Sequence, residues 1–205
     1  MPTVTKIERQ KHNNERVSVF IDGEYSFSVS DEIIIQYGIA VGMNVNSLPL
    51  KEIAEEDEYK RALSSAFKHM SVSEKTEKQI VTHLLRKEFS QAVIQRVITR
   101  LKELNYIDDL TFAKNFVEHT SGKGKRAVIF KLREKGVPDS IINEVIANMS
   151  EDSQLESAIE LLEKQLPKLS KYEGYEKKRR LNDFLLRRGF DWSVAAEAIE
   201  KCLEE

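Results

Sequence analysis

Leu104-Asn105-Tyr106-Ile107-Asp108-Asp109-Leu110-Thr111-Phe112-Ala113 joins two stretches of helical periodicity, and its reading decides how the chain is divided. Two acids follow apolar residues and precede an apolar-periodic segment. Asp108 therefore reads as an N-cap, with Ile107 and Phe112 at the N′ and N4 positions of a hydrophobic staple. Upstream, Ile94, Val97, Ile98, Leu101 and Leu104 recur at three- and four-residue steps, and downstream Phe112, Ala113, Phe116 and Val117 do the same. Two amphipathic helices thus meet at a tight corner between two structural units. Adjacent carboxylates also suit a metal or an acid–base pair. Capping accounts for Asp108 and Asp109 without chemistry, because both sit at the positive end of the helix dipole and one satisfies orphan N–H groups.

The corner belongs to a series. Lys87-Glu88-Phe89, Lys135-Gly136-Val137 and Arg188-Gly189-Phe190 each follow one amphipathic run and precede another, at offsets of 48 and 53 residues. In that register Val93-Ile94 matches Ile141-Ile142 and Val194-Ala195, and Val97-Ile98 matches Val145-Ile146 and Ala198-Ile199. One more helix precedes each window, over residues 59–70, 110–119 and 155–166, so the unit is helix–helix–helix. Gly136 and Gly189 suit a C′ position with positive φ. Glu88 holds that place in the first unit, and the steric penalty on its side chain predicts a turn of different geometry there.

Only the first segment reads as β. Val4–Gln10 and residues 16–21 flank the polar turn Lys11-His12-Asn13-Asn14-Glu15, and Asp22-Gly23 between 17–21 and 25–29 is a hairpin signal, giving a three-stranded antiparallel meander. Ser30 caps a short helix over 31–37 ended by Gly38, and a second short helix covers 50–58 after Pro49. The chain is thus mainly α. It carries a compact N-terminal β-rich extension (1–58), expected to be separable, followed by helical repeats at 59–108, 109–152 and 153–205.

The 205 residues, 40% hydrophobic and 32% charged, suffice for real cores. No apolar run approaches the ~20 residues of a membrane span, and the first residues lack the apolar stretch of a secretory signal, which points to the cytoplasm. Cys202 is the single cysteine, so no internal disulfide forms; it reads as a buried or half-buried residue of the last helix. The net charge of −2 is unevenly spread: −6 over residues 1–58, +7 over 59–150 and −3 over 151–205. A basic middle suits an anionic partner, as well as an ordinary solvated bundle.

Ser121-Gly122-Lys123-Gly124-Lys125 lacks the glycine spacing, the Ser/Thr and the preceding strand of a nucleotide-binding loop. His12, His69, His83 and His119 show no metal-ligand spacing, so neither metal nor cofactor is expected. Trp192 reads as a core residue at a helix start, with base stacking as the alternative. Tyr172 and Tyr175 fall in a polar linker over 169–178.

With these residues in place, the run 104–113 resembles the Gly-Tyr-Leu-Asp-Asp-x-x-Phe-Ala signature of the RecX family of regulators of the RecA recombinase. Gly124-Lys125-Arg126 with Leu132-Arg133-Glu134-Lys135-Gly136-Val137 resembles that family's Gly-x-x-Arg and Glu-Leu-x-x-Lys-Gly-Ile, and Leu185-Leu186-Arg187-Arg188-Gly189-Phe190 extends the likeness to the end of the chain. Asn105 replaces a glycine of the pattern, Ile107 a leucine, and Glu88 the turn glycine of the first repeat. The resemblance implies a curved, mainly helical protein of three tandem three-helix repeats. Such a protein binds the RecA filament on single-stranded DNA and is not an enzyme. It limits filament growth, ATP hydrolysis, strand exchange and co-protease activity. The β-rich extension resembles that of members from Gram-positive bacteria.

A curved repeat protein supplies an extended surface for a filament groove. Candidate contacts are the cations near the repeat turns: Arg86 and Lys87; Lys123, Lys125, Arg126, Arg133 and Lys135; Arg179, Arg180, Arg187 and Arg188. The cluster 123–135 is the favoured one, because Gly122 and Gly124 would let the backbone approach a phosphate. Tyr106, Ile107, Asp108, Asp109, Phe112, Ala113, Gly136 and Gly189 are assigned structural roles. The expected state is a monomer with at most weak direct DNA binding. The alternative is a helical DNA-binding module acting without the recombinase, against which the acidic ends of the chain tell.

Overall fold

The computed structural model describes residues 1–10, 13–120 and 122–204. Lys11 and His12 of the expected first turn, and Ser121 of the glycine-rich run, lie outside the described residues. Two compact units are formed, Met1–Ser73 with Val81–Leu101, and Glu74–Ile80 with Lys102–Glu205.

In the first unit β1 (Val4–Gln10), β2 (Asn13–Ile21) and β3 (Glu24–Ser30) make one antiparallel sheet in the order β1-β2-β3. β2 begins three residues before the expected 16–21, since Asn13 already pairs with Gln10 and the ladder satisfies backbone groups a longer turn would leave to water. Asp22 and Gly23 both take positive φ (48° and 88°), the geometry of a type I′ hairpin turn. The Asp22 carboxylate also accepts the Thr3 N–H at 2.9 Å, fastening the turn to the chain start. Val4, Val17, Val19 and Val29 are buried with Ile33 of α1 (Asp31–Gln36), Ile39 and Ile53.

α2 runs unbroken over Leu50–Met70, where the sequence suggested separate helices at 50–58 and 59–70. No glycine or proline interrupts it, and Ile53, Asp57, Ala62 and Ala66 are buried along it. Asp57 ties helix to sheet: its carboxylate accepts from Arg16 Nη1 at 3.2 Å and from the Ser30 N–H at 3.0 Å. Ser30 holds the N-cap position of α1, but its hydroxyl makes no capping bond, contrary to the sequence expectation.

The remaining helices follow as α3 (Glu77–Arg86), α4 (Gln91–Glu103), α5 (Asp109–Glu118), α6 (Lys125–Lys135), α7 (Asp139–Ala147), α8 (Glu151–Gln165), α9 (Gly174–Arg187) and α10 (Trp192–Glu204). α9 starts at Gly174, inside the expected linker, and carries Tyr175 exposed on its first turn. The recurring apolar face is the core face in each repeat. Val93, Ile94, Val97 and Ile98 are buried, then Ile142 and Val145, then Ala195, Ala198 and Ile199, while Cys202 packs half-buried on the last set.

Three turns share one geometry. Gly136 and Gly189 have φ of 86° and 84°, and the N–H groups of Val137 and Phe190 reach back to the Leu132 and Leu185 carbonyls. Glu88, expected to differ, has φ 61°, and the Phe89 N–H donates to the Leu84 carbonyl in the same way. The reason lies in what each turn faces. A Cβ on Gly136 would sit 2.2 Å from Lys78 Cδ, and one on Gly189 would sit 2.4 Å from the Ala127 nitrogen. Glu88 is exposed, so only the conformational cost of about 1–2 kcal/mol remains for its side chain. Asn105, also at positive φ (57°), stands where the family pattern has glycine, and asparagine tolerates that region.

Asp108 caps α5 as expected, accepting the Leu110 and Thr111 N–H groups at 2.9 and 3.1 Å and the Thr111 hydroxyl at 2.6 Å, with Ile107 and Phe112 buried beneath. The Thr111 hydroxyl, then its N–H, hold the Asp108 carboxyl below its ordinary value. Its stabilisation is therefore complete above the unfolded-state pKa and is lost as pH falls through the lower folded value. Asp108→Ala is expected to cost about 0.5–2 kcal/mol at neutral pH, with the difference from the parent shrinking in acid. Thermal melts across that range check both statements. A variant that melts like the parent yet loses partner binding would give the carboxylate a functional role instead.

Candidate partner-binding surface

Within the second unit, the start of one repeat's second helix is fastened to the turn ending the second helix of the next repeat. The Gly124 N–H donates to the Arg188 carbonyl at 3.0 Å and the Arg126 N–H to the Gly189 carbonyl at 3.1 Å, while the Lys125 N–H donates to Oε1 of buried Gln154 on α8. One repeat earlier the arrangement recurs. The Thr76 hydroxyl donates to the Lys135 carbonyl at 2.6 Å, and the Glu77 N–H to Asp109 Oδ1 at 2.9 Å. Asp109 therefore closes the start of α3, a role the local reading missed because its partner lies 32 residues upstream. Burial raises its carboxyl above the ordinary value, against the pull of the Glu77 N–H, so the adjacent acids diverge in opposite directions.

This fastening corrects the phosphate reading of Gly122 and Gly124. A Cβ on Gly124 would lie 2.1 Å from the Phe190 nitrogen and 2.2 Å from the Gly189 carbonyl carbon, so its smallness serves backbone-to-backbone packing. The N–H groups of Gly124, Lys125 and Arg126 already have protein acceptors, and Gly122 faces the Leu161 side chain.

The cations divide into engaged and unengaged. Arg126 pairs with Asp191 at 2.6 Å, Arg133 with Asp139 at 2.7 Å and Arg180 with Glu176 at 2.9 Å. Lys135 Nζ lies 5.8 and 5.7 Å from the Phe112 and Phe116 ring centres, and the Arg188 guanidinium lies 4.7 Å from that of Phe184. Lys123, Lys125, Arg179 and Arg187 have no ion-pair partner among the described residues, and Lys125 alone of these is half-buried. The junction hydrogen bonds bring Lys123 and Arg126 beside Arg187 and Arg188, far apart in sequence. Arg86 ends α3 and Lys87 follows it in the first unit, where burial, then Lys87 and Arg86, hold the His83 imidazole below its ordinary value. In the same unit Lys60 and Arg61 border an open groove of about 1080 Å³ and are engaged, Lys60 with Glu32 at 2.8 Å and Arg61 with Asp57 at 3.6 Å.

Trp192 is not core: it is 67% exposed at the first position of α10, because the buried side of that helix is taken by Ala195, Ala198 and Ile199. Phe130, which drew no notice in the sequence, is 65% exposed on α6. Tyr106 is exposed beside buried Ile107.

Among the described residues no helix is long and apolar enough to cross a membrane. The chain matches the regulatory protein RecX N-terminal domain over residues 2–46, and the first, second and third three-helix domains of RecX over 62–101, 108–146 and 151–199. Regulatory protein RecX of Clostridium acetobutylicum is 36% identical over 208 residues, spanning 99% of this chain and 97% of that protein. That of Bacillus licheniformis is 32% identical over 204 residues, spanning 98% of this chain and 78% of its own length. A crystal structure of a regulatory protein RecX superposes with a TM-score of 0.73 at 25% identity, each chain covered fully. RecX from Lactobacillus salivarius shares the fold, with a TM-score of 0.69 over 73% of this chain and 99% of that one at 23% identity. Four domain matches in family order and relatives aligned along nearly the whole length place the chain in the RecX family of regulatory proteins.

Proposed function

We propose that this chain is a monomeric, non-enzymatic cytoplasmic regulator that binds the RecA recombinase filament on single-stranded DNA. It restrains filament growth, and with it ATP hydrolysis, recombination and co-protease activity. Membership of the RecX family along nearly the whole chain is the observation that carries this reading. The contact surface is the junction of the second and third repeats, where Lys123, Lys125 and Arg187 keep their charges uncompensated. The proposed division remains an extension at 1–58 and repeats at 59–108, 109–152 and 153–205, with α2 running across the first boundary. The engaged cations, Arg126, Arg133, Lys135, Arg180 and Arg188, contribute less, since binding through them requires breaking an existing contact.

The Lys123→Glu, Arg187→Glu double variant is expected to weaken filament binding by about 1–3 kcal/mol with a shallower salt dependence, as repulsion replaces attraction. Lys60 and Arg61 are poor controls because their reversal breaks ion pairs within the first unit. Lys68→Glu, exposed in the last turn of α2 and without an ion-pair partner among the described residues, serves instead. Filament binding and recombinase ATP hydrolysis are compared at matched salt and matched thermal stability. Equal effects from both variants would mean that general charge governs binding. Binding to bare single-stranded DNA as tight as to the coated strand would favour an independent DNA-binding module.

A further inference from the structure

Phe130 and Trp192 are exposed aromatic rings that flank the Arg126–Asp191 ion pair. Trp192 is the residue after Asp191, and Phe130 stands one turn along α6 from Arg126. The repeat architecture does not require either ring. In the register of the three turns, Thr82 and Asp183 occupy the position of Phe130, and Gln91 and Asp139 that of Trp192. Polar residues fill both positions in the other repeats, so packing of the helices leaves the two aromatics unexplained.

The charges around the rings decide what would cover them. Arg126 is paired with Asp191, Arg133 with Asp139, and Lys131, whose Nζ lies 5.9 Å from the Phe130 ring centre, with Glu134 at 2.7 Å. The ground beneath the rings is therefore close to neutral and offers a phosphate backbone little attraction. Unpaired Lys123, Lys125 and Arg187 lie to one side, just before and at the start of α6 and at the end of α9. Exposed aromatic anchors on locally compensated charge, with free cations at the margin, match the centre and rim of a protein–protein interface. We propose that Phe130 and Trp192 are the anchors by which this surface docks into an apolar, acid-rimmed depression on the recombinase protein, and that they do not stack on DNA bases. The proposal rests on the filament-binding reading above and assigns its apolar centre.

The test uses the full chain. Affinity for the recombinase assembled on single-stranded DNA is measured for the parent and for Phe130→Ala, Trp192→Ala and Tyr175→Ala, the last being 81% exposed on α9 as the control. Phe130→Ala and Trp192→Ala are each expected to lose about tenfold or more in affinity, by nearly the same factor at low and high salt, and to melt like the parent. Tyr175→Ala is expected to bind like the parent. In a second arm a thymidine oligonucleotide is added without recombinase, and the emission of Trp192, the single tryptophan, is expected to stay unchanged. Parent-like filament binding by both alanine variants, or an equal loss from Tyr175→Ala, would overturn the proposal. Quenching by the bare oligonucleotide would assign the rings to base stacking and overturn it too. Failure of the parent to bind the filament at all would refute the filament reading itself, which the variant comparison tells apart.

Discussion

Gly124→Ala is expected to remove about 3 kcal/mol or more of stability from the second unit, a larger loss than ordinary overpacking causes. The added Cβ would lie 2.1 Å from the Phe190 nitrogen and 2.2 Å from both the carbonyl carbon and oxygen of Gly189. All three are backbone atoms at the turn closing α9, so no flexible side chain can swing away. The junction must open, and opening it lengthens the Gly124 N–H to Arg188 carbonyl and Arg126 N–H to Gly189 carbonyl bonds together. Phe190, fully buried at the centre of the third core, is carried by the same turn, so strain at residue 124 reaches the packing of α8, α9 and α10. Urea unfolding of parent and variant measures the loss, and because residue 124 has φ −74°, a conformation alanine adopts freely, the loss reports the steric contact and not backbone strain. A change below about 1 kcal/mol at Gly124 would show that the two backbones are not in contact. The proposed partner surface would weaken with the junction, because the same bonds hold Lys123 beside Arg187.

Asp57→Ala is expected to cost about 3–5 kcal/mol in the first unit, the range for breaking a buried ion pair by removing one partner. The carboxylate is buried, and its loss strands the largely buried Arg16 guanidinium and the Ser30 N–H, leaving Arg16, among the described residues, its bond to the Ser28 carbonyl. Arg61, half-exposed at 3.6 Å, recovers its hydration on losing Asp57 and adds little. Asp57→Asn keeps an acceptor for Ser30 and should cost less than alanine. Hydrogen exchange at the β2 and β3 amides locates the effect, and protection unchanged from the parent would mean that the sheet does not depend on α2. The same geometry bears on truncation. Cutting after residue 58 divides α2: Ile53 and Asp57 leave together with the sheet they anchor, and the rest of the helix loses its first turns. The expected boundary at 58 therefore runs through a continuous helix that the β-rich segment shares with the first repeat.

The division into repeats was legible because it rests on short-range signals. Apolar spacing marks a helix face, a carboxylate two or three residues from its N–H partners marks a helix start, and Asp22-Gly23 marks a hairpin; each involves groups within a few residues of one another. The sequence alone thereby determined the three core faces, the Asp108 cap and the meander. It also located the glycine turns, although not why repeats two and three need glycine while repeat one accepts Glu88. That depended on Lys78 and Ala127 lying against Gly136 and Gly189, contacts between segments distant along the chain. The same holds for the partner surface. Composition shows where cations are, but whether a cation is free depends on where the folded backbone carries the acids, and Arg126 meets Asp191 from the far side of a repeat. Tertiary structure alone decided that Asp109 caps a helix other than its own, that Gly124 meets backbone and not phosphate, and that Trp192 faces outward. In each case the deciding interaction is a steric or electrostatic contact that falls off within a few ångströms, and no local pattern encodes which distant residue will stand there.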